Sequence, residues 1–409
     1  MKRFTVPLLM IALTLGAALY LPKGFSLSDL PGFAGPNPRP GPVKTDPVQL
    51  PVPGNKRIEV VFALDTTGSM SGLIQAAKDK IWSIASTMAS ADPAPEIAVG
   101  LVAYRDRGDE YVTRVFDLTT DLDAIYAQLI EFQAGGGGDG PESVNKALDD
   151  ALHQISWTAH AGTYRSVFLV GDAPAHMDYR GERQFPELAE LATRRGIVIN
   201  TIRCGSSQTT QAQWQQIAAL TQGRFFSVDQ NGGALAIVSP FDRKMADVSA
   251  QLDRTRLGYG DAAARRAHSD KAAATAALQA KAPIAALARR GAFNASASGD
   301  KNLFGDKDLI ADIESGAITL DKVREQELPT TLRSLRPAER KAKVDAQRQQ
   351  RAALKEELRS LADQRDSWLI EQAAEMETAE DSLDYQIFGA VKDQAASKGL
   401  VYSEAAPKL

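Results

Sequence analysis

A chain of 409 residues, 44% of them apolar, has room for two domains, a linker and a sizeable core. Its net charge of −4 gives no electrostatic basis for nucleic-acid binding. A single cysteine, Cys204, excludes an intramolecular disulfide framework and any multi-cysteine metal site. It ends an apolar run and is expected to be a small buried residue.

Lys2 and Arg3 precede an apolar stretch from Phe4 to Leu21, the pattern of a positive n-region followed by an h-region. Its length lies at the lower edge of what spans a bilayer. Residues 1–22 therefore read as an export signal, either cleaved or kept as a signal-anchor. The body of the protein is expected in a bacterial periplasm or at the cell surface. Residues 23–55 are dense in proline from Pro31 to Pro53, which forbids helix and favours an extended spacer.

Residues 56–239 alternate strand and helix patterns. Ile58 to Leu64 is an apolar run rich in β-branched residues, as in a buried parallel strand. It ends in Asp65-Thr66-Thr67-Gly68-Ser69-Met70-Ser71. A helix follows from Leu73 to Met88, with Ile74, Ile81, Ile84, Ala85 and Met88 on its apolar face. Ile97 to Tyr104 is a second buried strand. After the charged turn Arg105–Asp109, Tyr111 to Leu118 alternates as an edge or antiparallel strand. Leu122 to Phe132 is a short helix. Four glycines, Gly135 to Gly138, then lead through Asp139, Gly140, Pro141, Glu142 and Ser143 into a helix ending near Ile155. Ser166 to Gly171 is another buried strand, closed by Asp172. A helix over Phe185–Arg195, a strand over Ile197–Ile202, a helix over Gln211–Thr221 and a strand over Arg224–Val228 complete the pattern. The fold class is α/β: a doubly wound, mostly parallel sheet with helices on both faces, followed by an α-helical region.

Open α/β sheets place ligands at the carboxyl ends of their strands. Asp65 and Asp172 both stand there. With the hydroxyls of Thr67 and Ser69 they form an all-oxygen donor set, suited to Mg²⁺ or another hard divalent cation rather than zinc.

These residues resemble the von Willebrand factor type A domain over about Arg57 to Val238. Its metal-ion-dependent adhesion site takes Asp-x-Ser-x-Ser after the first strand, a Thr in a later Gly-rich loop, and an Asp after the fourth strand. Asp65, Thr67 and Ser69 match the first element, with the hydroxyl kept at Thr67, and Asp172 matches the third. The second element departs: the loop offers Asp139, Glu142 and Ser143 but no Thr. It is similar instead to the hemicentin-like and alpha-kinase-associated branch, which carries Gly-Gly-Gly-Asp-x-Pro-Glu. On that basis Asp139 is placed nearest the ion. The resemblance implies a non-enzymatic binding module for a protein ligand. That ligand supplies a carboxylate to Mg²⁺ (or Mn²⁺ or Ca²⁺) held by Asp65, Thr67, Ser69, Asp139 and Asp172.

Enzyme readings fit less well. Phosphatases with an Asp-based loop carry a second Asp two residues on, as general acid; here that position is Thr67. The Gly-rich loop lacks the Gly-Lys-Ser or Gly-Lys-Thr of a phosphate cradle. Met70 occupies the central position of what would be a nucleophile elbow. His176, four residues past Asp172, is the histidine nearest the site.

Residues 240–409 favour helix. Phe241–Arg256 carries Met245, Val248 and Leu252 on one face, and Ala262–Ala288 is alanine-rich. Gly291–Asp306 reads as a loop, Leu309–Glu325 as two short helices, and Pro329 and Pro337 as brackets of a turn. Arg340–Glu380 spaces Leu354, Leu361 and Trp368 by seven, which is short for a coiled coil and reads rather as a helical hairpin packed on the rest of this region. This region offers the alternative reading, a scaffold or oligomerisation element.

Overall fold

The computed structural model describes residues 56–138, 140–229, 238–374 and 383–402. They fall within one compact unit, Pro53–Leu409. Residues 1–55, on which the expected export signal and spacer fall, and Asp139 lie outside the described residues.

The first half of this unit runs β1 (Arg57–Asp65), α1 (Ser71–Ala89), β2 (Glu96–Tyr104), β3 (Thr113–Thr119), α2 (Leu122–Glu131) and α3 (Val144–His153). It continues with β4 (Thr163–Gly171), α4 (Phe185–Arg194), β5 (Val198–Cys204), α5 (Gln208–Leu220) and β6 (Phe225–Val228). The strands form a sheet in the order β3-β2-β1-β4-β5-β6. All pairs are parallel except β2 with β3, so β3 is the antiparallel edge the alternation predicts. From β1 the chain goes to β2 and β3 on one side, then to β4, β5 and β6 on the other. The switch point between β1 and β4 leaves a crevice at their carboxyl ends.

The period of two sorts β1 between the faces. Ile58, Val60 and Leu64 join one core with α1 and α2, while Val61 and Ala63 join another with α3, α4 and α5. Trp82 and Trp214 are fully buried, one on each side. Local signals close the helices: Asp121 caps α2 through Ala124 N–H (3.2 Å), and Gly196 ends α4 with φ +64°. β4 begins three residues earlier than Ser166, because Thr163 already pairs with Arg57 at the start of β1.

The helical region comprises α6 (Asp242–Asp253), α7 (Ala262–Lys281), α8 (Ile284–Ala295), α9 (Asp300–Phe304) and α10 (Leu309–Glu314). It ends with α11 (Thr330–Arg333), α12 (Pro337–Ala374) and α13 (Leu383–Ala396). The alanine-rich stretch is two helices, broken at Ala282-Pro283. The loop expected over Gly291–Asp306 is corrected: α8 runs through Gly291 to Ala295 and α9 follows. Gly291 is tolerated because a side chain there would press on Ser249 and Leu358. The long helix is continuous from Pro337 to Ala374 and packs on the rest of the region, as expected. Leu354 and Leu358 of α12 bury against Met245, Val248 and Leu252 of α6, so its apolar stripe is filled within the chain.

This region packs on the same face of the sheet as α1 and α2. Phe293 of α8 sits 6.0 Å, ring to ring, from Trp82 of α1. Phe388 and Val391 of α13 join the core built by Phe168, Ile202 and Phe226. Gln394 of α13 accepts from Tyr164 Oη (2.6 Å) and exchanges hydrogen bonds with the buried Asn200 of β5. The last described helix thus covers β4 to β6. A second clamp holds α2: Arg290 of α8, 1% exposed, donates to both Asp123 oxygens (2.6 Å each) and to Asp253 (2.9 Å). Lys271 of α7 reaches Asp121 (2.7 Å).

Candidate metal centre

Three loops meet above the switch point, joined to each other through the backbone. Gly68 N–H donates to Gly136 C=O (3.1 Å) and Gly135 N–H to Thr66 C=O (3.1 Å), tying the loop after β1 to the Gly-rich loop. Glu142 N–H donates to Pro174 C=O (2.9 Å) and His176 N–H to Glu142 C=O (3.2 Å), tying the Gly-rich loop to the one after β4. Between them is a cleft of about 690 Å³, lined by Thr67, Ser69, Glu142, Asp172, Ser207 and Thr209 among others.

The Asp65 carboxylate lies at the floor of this arrangement, fully buried. Its Oδ1 accepts from the N–H (2.9 Å) and the hydroxyl (2.7 Å) of Thr67. Its Oδ2 has no hydrogen-bond partner. Burial chiefly, and the Asp172 charge beside it, push its pKa up to about 7 against the pull of the Thr67 donors and of the Asp172 backbone N–H. Tyr104, buried beneath, is held well above its ordinary range by burial and then by the charges of Asp65, Glu142 and Asp172. No lysine or arginine lines the cleft among the described residues. A buried carboxylate oxygen left bare among acids is costly unless a cation completes it.

The donor set fits a hard divalent ion. Thr67 spends its hydroxyl proton on Asp65, which leaves oxygen lone pairs for a cation, and its Oγ1 stands 3.3 Å from Ser69 Oγ. Adjacent ligands of an octahedral ion are about 2.9 Å apart for Mg²⁺ and about 3.3–3.7 Å for Ca²⁺ at their usual bond lengths. Among the described residues no three His, Cys, Asp or Glu side chains gather closely enough to hold a metal on their own, so the hydroxyls belong to the donor set.

Space at the floor is set by glycine. A Cβ on Gly171 would lie 2.6 Å from Tyr104 Oη and 3.0 Å from Asp65 Oδ2. Gly137, at φ +76°, passes Thr67 and Glu142 at distances that leave no room for a side chain (3.1 and 3.0 Å).

Of the residues proposed from sequence, Asp65, Thr67, Ser69 and Asp172 come together here, and Asp139 lies outside the described residues. Glu142, one of the loop's three candidates, is 3% exposed and lines the cleft. Ser143 faces away and donates to Asp106 (2.7 Å). The turn read as merely charged is instead the bracket of the site. Arg105, largely buried, donates to Thr66 C=O (3.1 Å) and Gln133 C=O (2.8 Å). Asp109 Oδ2 accepts from Gly137 N–H (3.1 Å) and Asp106 N–H (3.1 Å), holding the Gly-rich loop. Asp106 also accepts from Tyr179 Oη (2.6 Å), whose ring stacks on His176. His176 is thus a buried packing residue of the third loop. Nothing in the spacing of these residues distinguishes a carboxylate that holds backbone N–H groups from one that faces solvent.

Comparison with known proteins agrees with this arrangement. The family model described as the von Willebrand factor A domain matches residues 59–239. The alpha-protein kinase vwkA of Dictyostelium discoideum is 28% identical over 121 residues, 29% of this chain and 19% of that protein. The von Willebrand factor A domain-containing protein 7 of Rattus norvegicus is 36% identical over 112 residues, 27% of this chain and 11% of that protein. The chain therefore spans less than a fifth of the length of these relatives. Among solved structures, the conserved hypothetical protein BatB of Bacteroides thetaiotaomicron aligns over 42% of this chain and 90% of its own, with 18% identity and a TM-score of 0.32. From the family match and the strand order with its three bonded loops, residues 59–239 of this chain belong to the von Willebrand factor A domain family.

Proposed function

We propose that this protein is a divalent-cation-dependent protein-binding module and not an enzyme. Asp65, Thr67, Ser69 and Asp172, with Glu142 from the Gly-rich loop, would hold the ion. The all-oxygen donor set suits Mg²⁺, with Mn²⁺ or Ca²⁺ as alternatives, and the 3.3 Å spacing of the Thr67 and Ser69 hydroxyls is nearer that around Ca²⁺. The observation that carries this reading is the fully buried carboxylate of Asp65, its Oδ2 without a side-chain partner, bonded to Thr67 beneath a cleft lined by Thr67, Ser69, Glu142 and Asp172. When bound, the ion supplies positive charge to a carboxylate donated by a partner protein. The chain's own part is to hold the acids rigidly, through the loop-to-loop backbone bonds, and to keep the cleft open to solvent. Thr67 stands where a phosphohydrolase of the Asp-loop type needs its second acid, which supports binding over phosphoryl transfer.

The apolar segment at residues 1–22 and the spacer to residue 55 support placement in the bacterial envelope, with the domain held off the membrane. Pull-down from an envelope fraction with and without EDTA tests the proposal. A partner retained with Mg²⁺ and released by chelator supports it; capture indifferent to chelator contradicts it. A second reading, that the helical region acts as a scaffold or oligomerisation element and the metal is structural, draws support from the way α13 completes the core over β4 to β6. In that case Asp65→Ala lowers the melting temperature while partner capture survives.

A further inference from the structure

A second cleft, of about 600 Å³, lies in the helical region between the turn after α6, α7, the start of α11 and the first turns of α12. Arg254, Arg265 and Lys343 line it, with the hydroxyls of Ser269, Thr330 and Thr331. His268 and Arg256 complete its basic wall, and no carboxylate lines it among the described residues. In a chain of net charge −4 this is a local reversal of sign.

The cations are not all consumed by the fold. Arg256 is: it donates to Thr275 (2.9 Å) and to Asp253 (2.7 Å). Arg265 is anchored at one nitrogen only, Nη1 to Gly260 C=O (2.8 Å), which fixes the guanidinium at the rim. Arg254 and Lys343 are exposed and make no ion pair or hydrogen bond among the described residues. The wall beside them is shaped. Gly258 lets the His268 ring lie against the backbone, where any side chain would overlap it, and His268 Nε2 sits 2.9 Å from Lys307 C=O.

We propose that this cleft binds clustered phosphoryl groups, as in a pyrophosphate or short polyphosphate chain. Guanidinium forks and an ammonium match phosphate oxygens in geometry and charge, and the three hydroxyls add donors. Apolar recognition is minor, since Leu257 and Pro329 are the apolar residues in the lining. The site is independent of the metal centre.

The test is calorimetric titration of pyrophosphate and tripolyphosphate into the full chain in non-ionic detergent, in divalent-free buffer so that chelation contributes nothing. Flotation with phosphatidylcholine vesicles carrying phosphatidic acid distinguishes a lipid headgroup from a free oligophosphate as the source of the phosphoryl groups. One-to-one binding of either is expected, weakening steeply with salt. Arg254→Gln, Arg265→Gln and Lys343→Gln should each reduce affinity by about tenfold, as loss of a charge-assisted hydrogen bond does. Arg266→Gln, on an exposed residue of the same helix outside the cleft, should change nothing. These positions are exposed, and near-ultraviolet circular dichroism checks that each variant is folded. No binding of either probe, or equal binding by the folded triple variant, overturns the proposal.

Discussion

Replacing Asp65 by Asn separates a metal site from a structural acid. The amide keeps Oδ1, which accepts from Thr67, and replaces the unpartnered Oδ2 with a neutral group. Because the folded chain raises this carboxyl from 3.8 to about 7, it binds the proton more tightly folded than unfolded. The associated stability is therefore complete below about pH 4 and lost as the pH rises through about 7. The loss is at most about 4 kcal/mol at roughly 1.4 kcal/mol per pH unit. Urea unfolding, followed by fluorescence of the buried Trp82 and Trp214, reads this directly. In chelator, wild type and Asp65→Asn should be close at pH 4, and the variant should be the more stable at pH 8 by up to about 4 kcal/mol. Saturating Mg²⁺ should restore the wild type, by about 2.7 kcal/mol at a hundredfold excess over Kd, and leave the variant unmoved. A variant less stable than wild type in chelator at pH 8, or one that still gains from Mg²⁺, refutes the reasoning.

Other substitutions probe what surrounds the acid. Gly171→Ala forces a methyl against Tyr104 Oη and Asp65; it should cost about 1–3 kcal/mol in urea unfolding and weaken Mg²⁺ binding with it. Asp109→Ala frees Gly137 N–H and should lower Mg²⁺ affinity in calorimetry more than it lowers stability, because it releases the loop without opening the core. Asp123→Ala removes one of the two carboxylates that pair with the buried guanidinium of Arg290, leaving Asp253, and should destabilise the whole unit by about 3 kcal/mol in urea unfolding.

The site was legible where its signals are local. Asp65 ends an apolar run, and Thr67 and Ser69 follow at alternate positions, so strand, turn and helix are all written within one short segment. Asp172 is legible for the same reason, at the end of β4. The Gly-rich loop has no periodicity to read, and what decides its shape is distant: Asp109 holds Gly137, and Pro174 holds Glu142. The sequence ranks Asp139 first among the loop's three candidates by likeness to a motif; of the two that the structure describes, burial and backbone bonding put Glu142 in the cleft. In the helical region, glycine at 291 suggests a loop because propensity is a weak prior, and packing against Ser249 and Leu358 overrides it. That α13 would cover β4 to β6 could not be read at all, since contact between residues 164 and 394 leaves no mark on either neighbourhood.

The central claim, that three bonded loops hold one hard cation, is tested most directly by anomalous diffraction from crystals soaked in Mn²⁺. The account predicts a single strong peak in the cleft, within bonding distance of the Thr67 and Ser69 hydroxyls and facing Asp65 Oδ2. A cleft without a peak, with the Asp65 and Asp172 carboxylates turned to other partners, would contradict it.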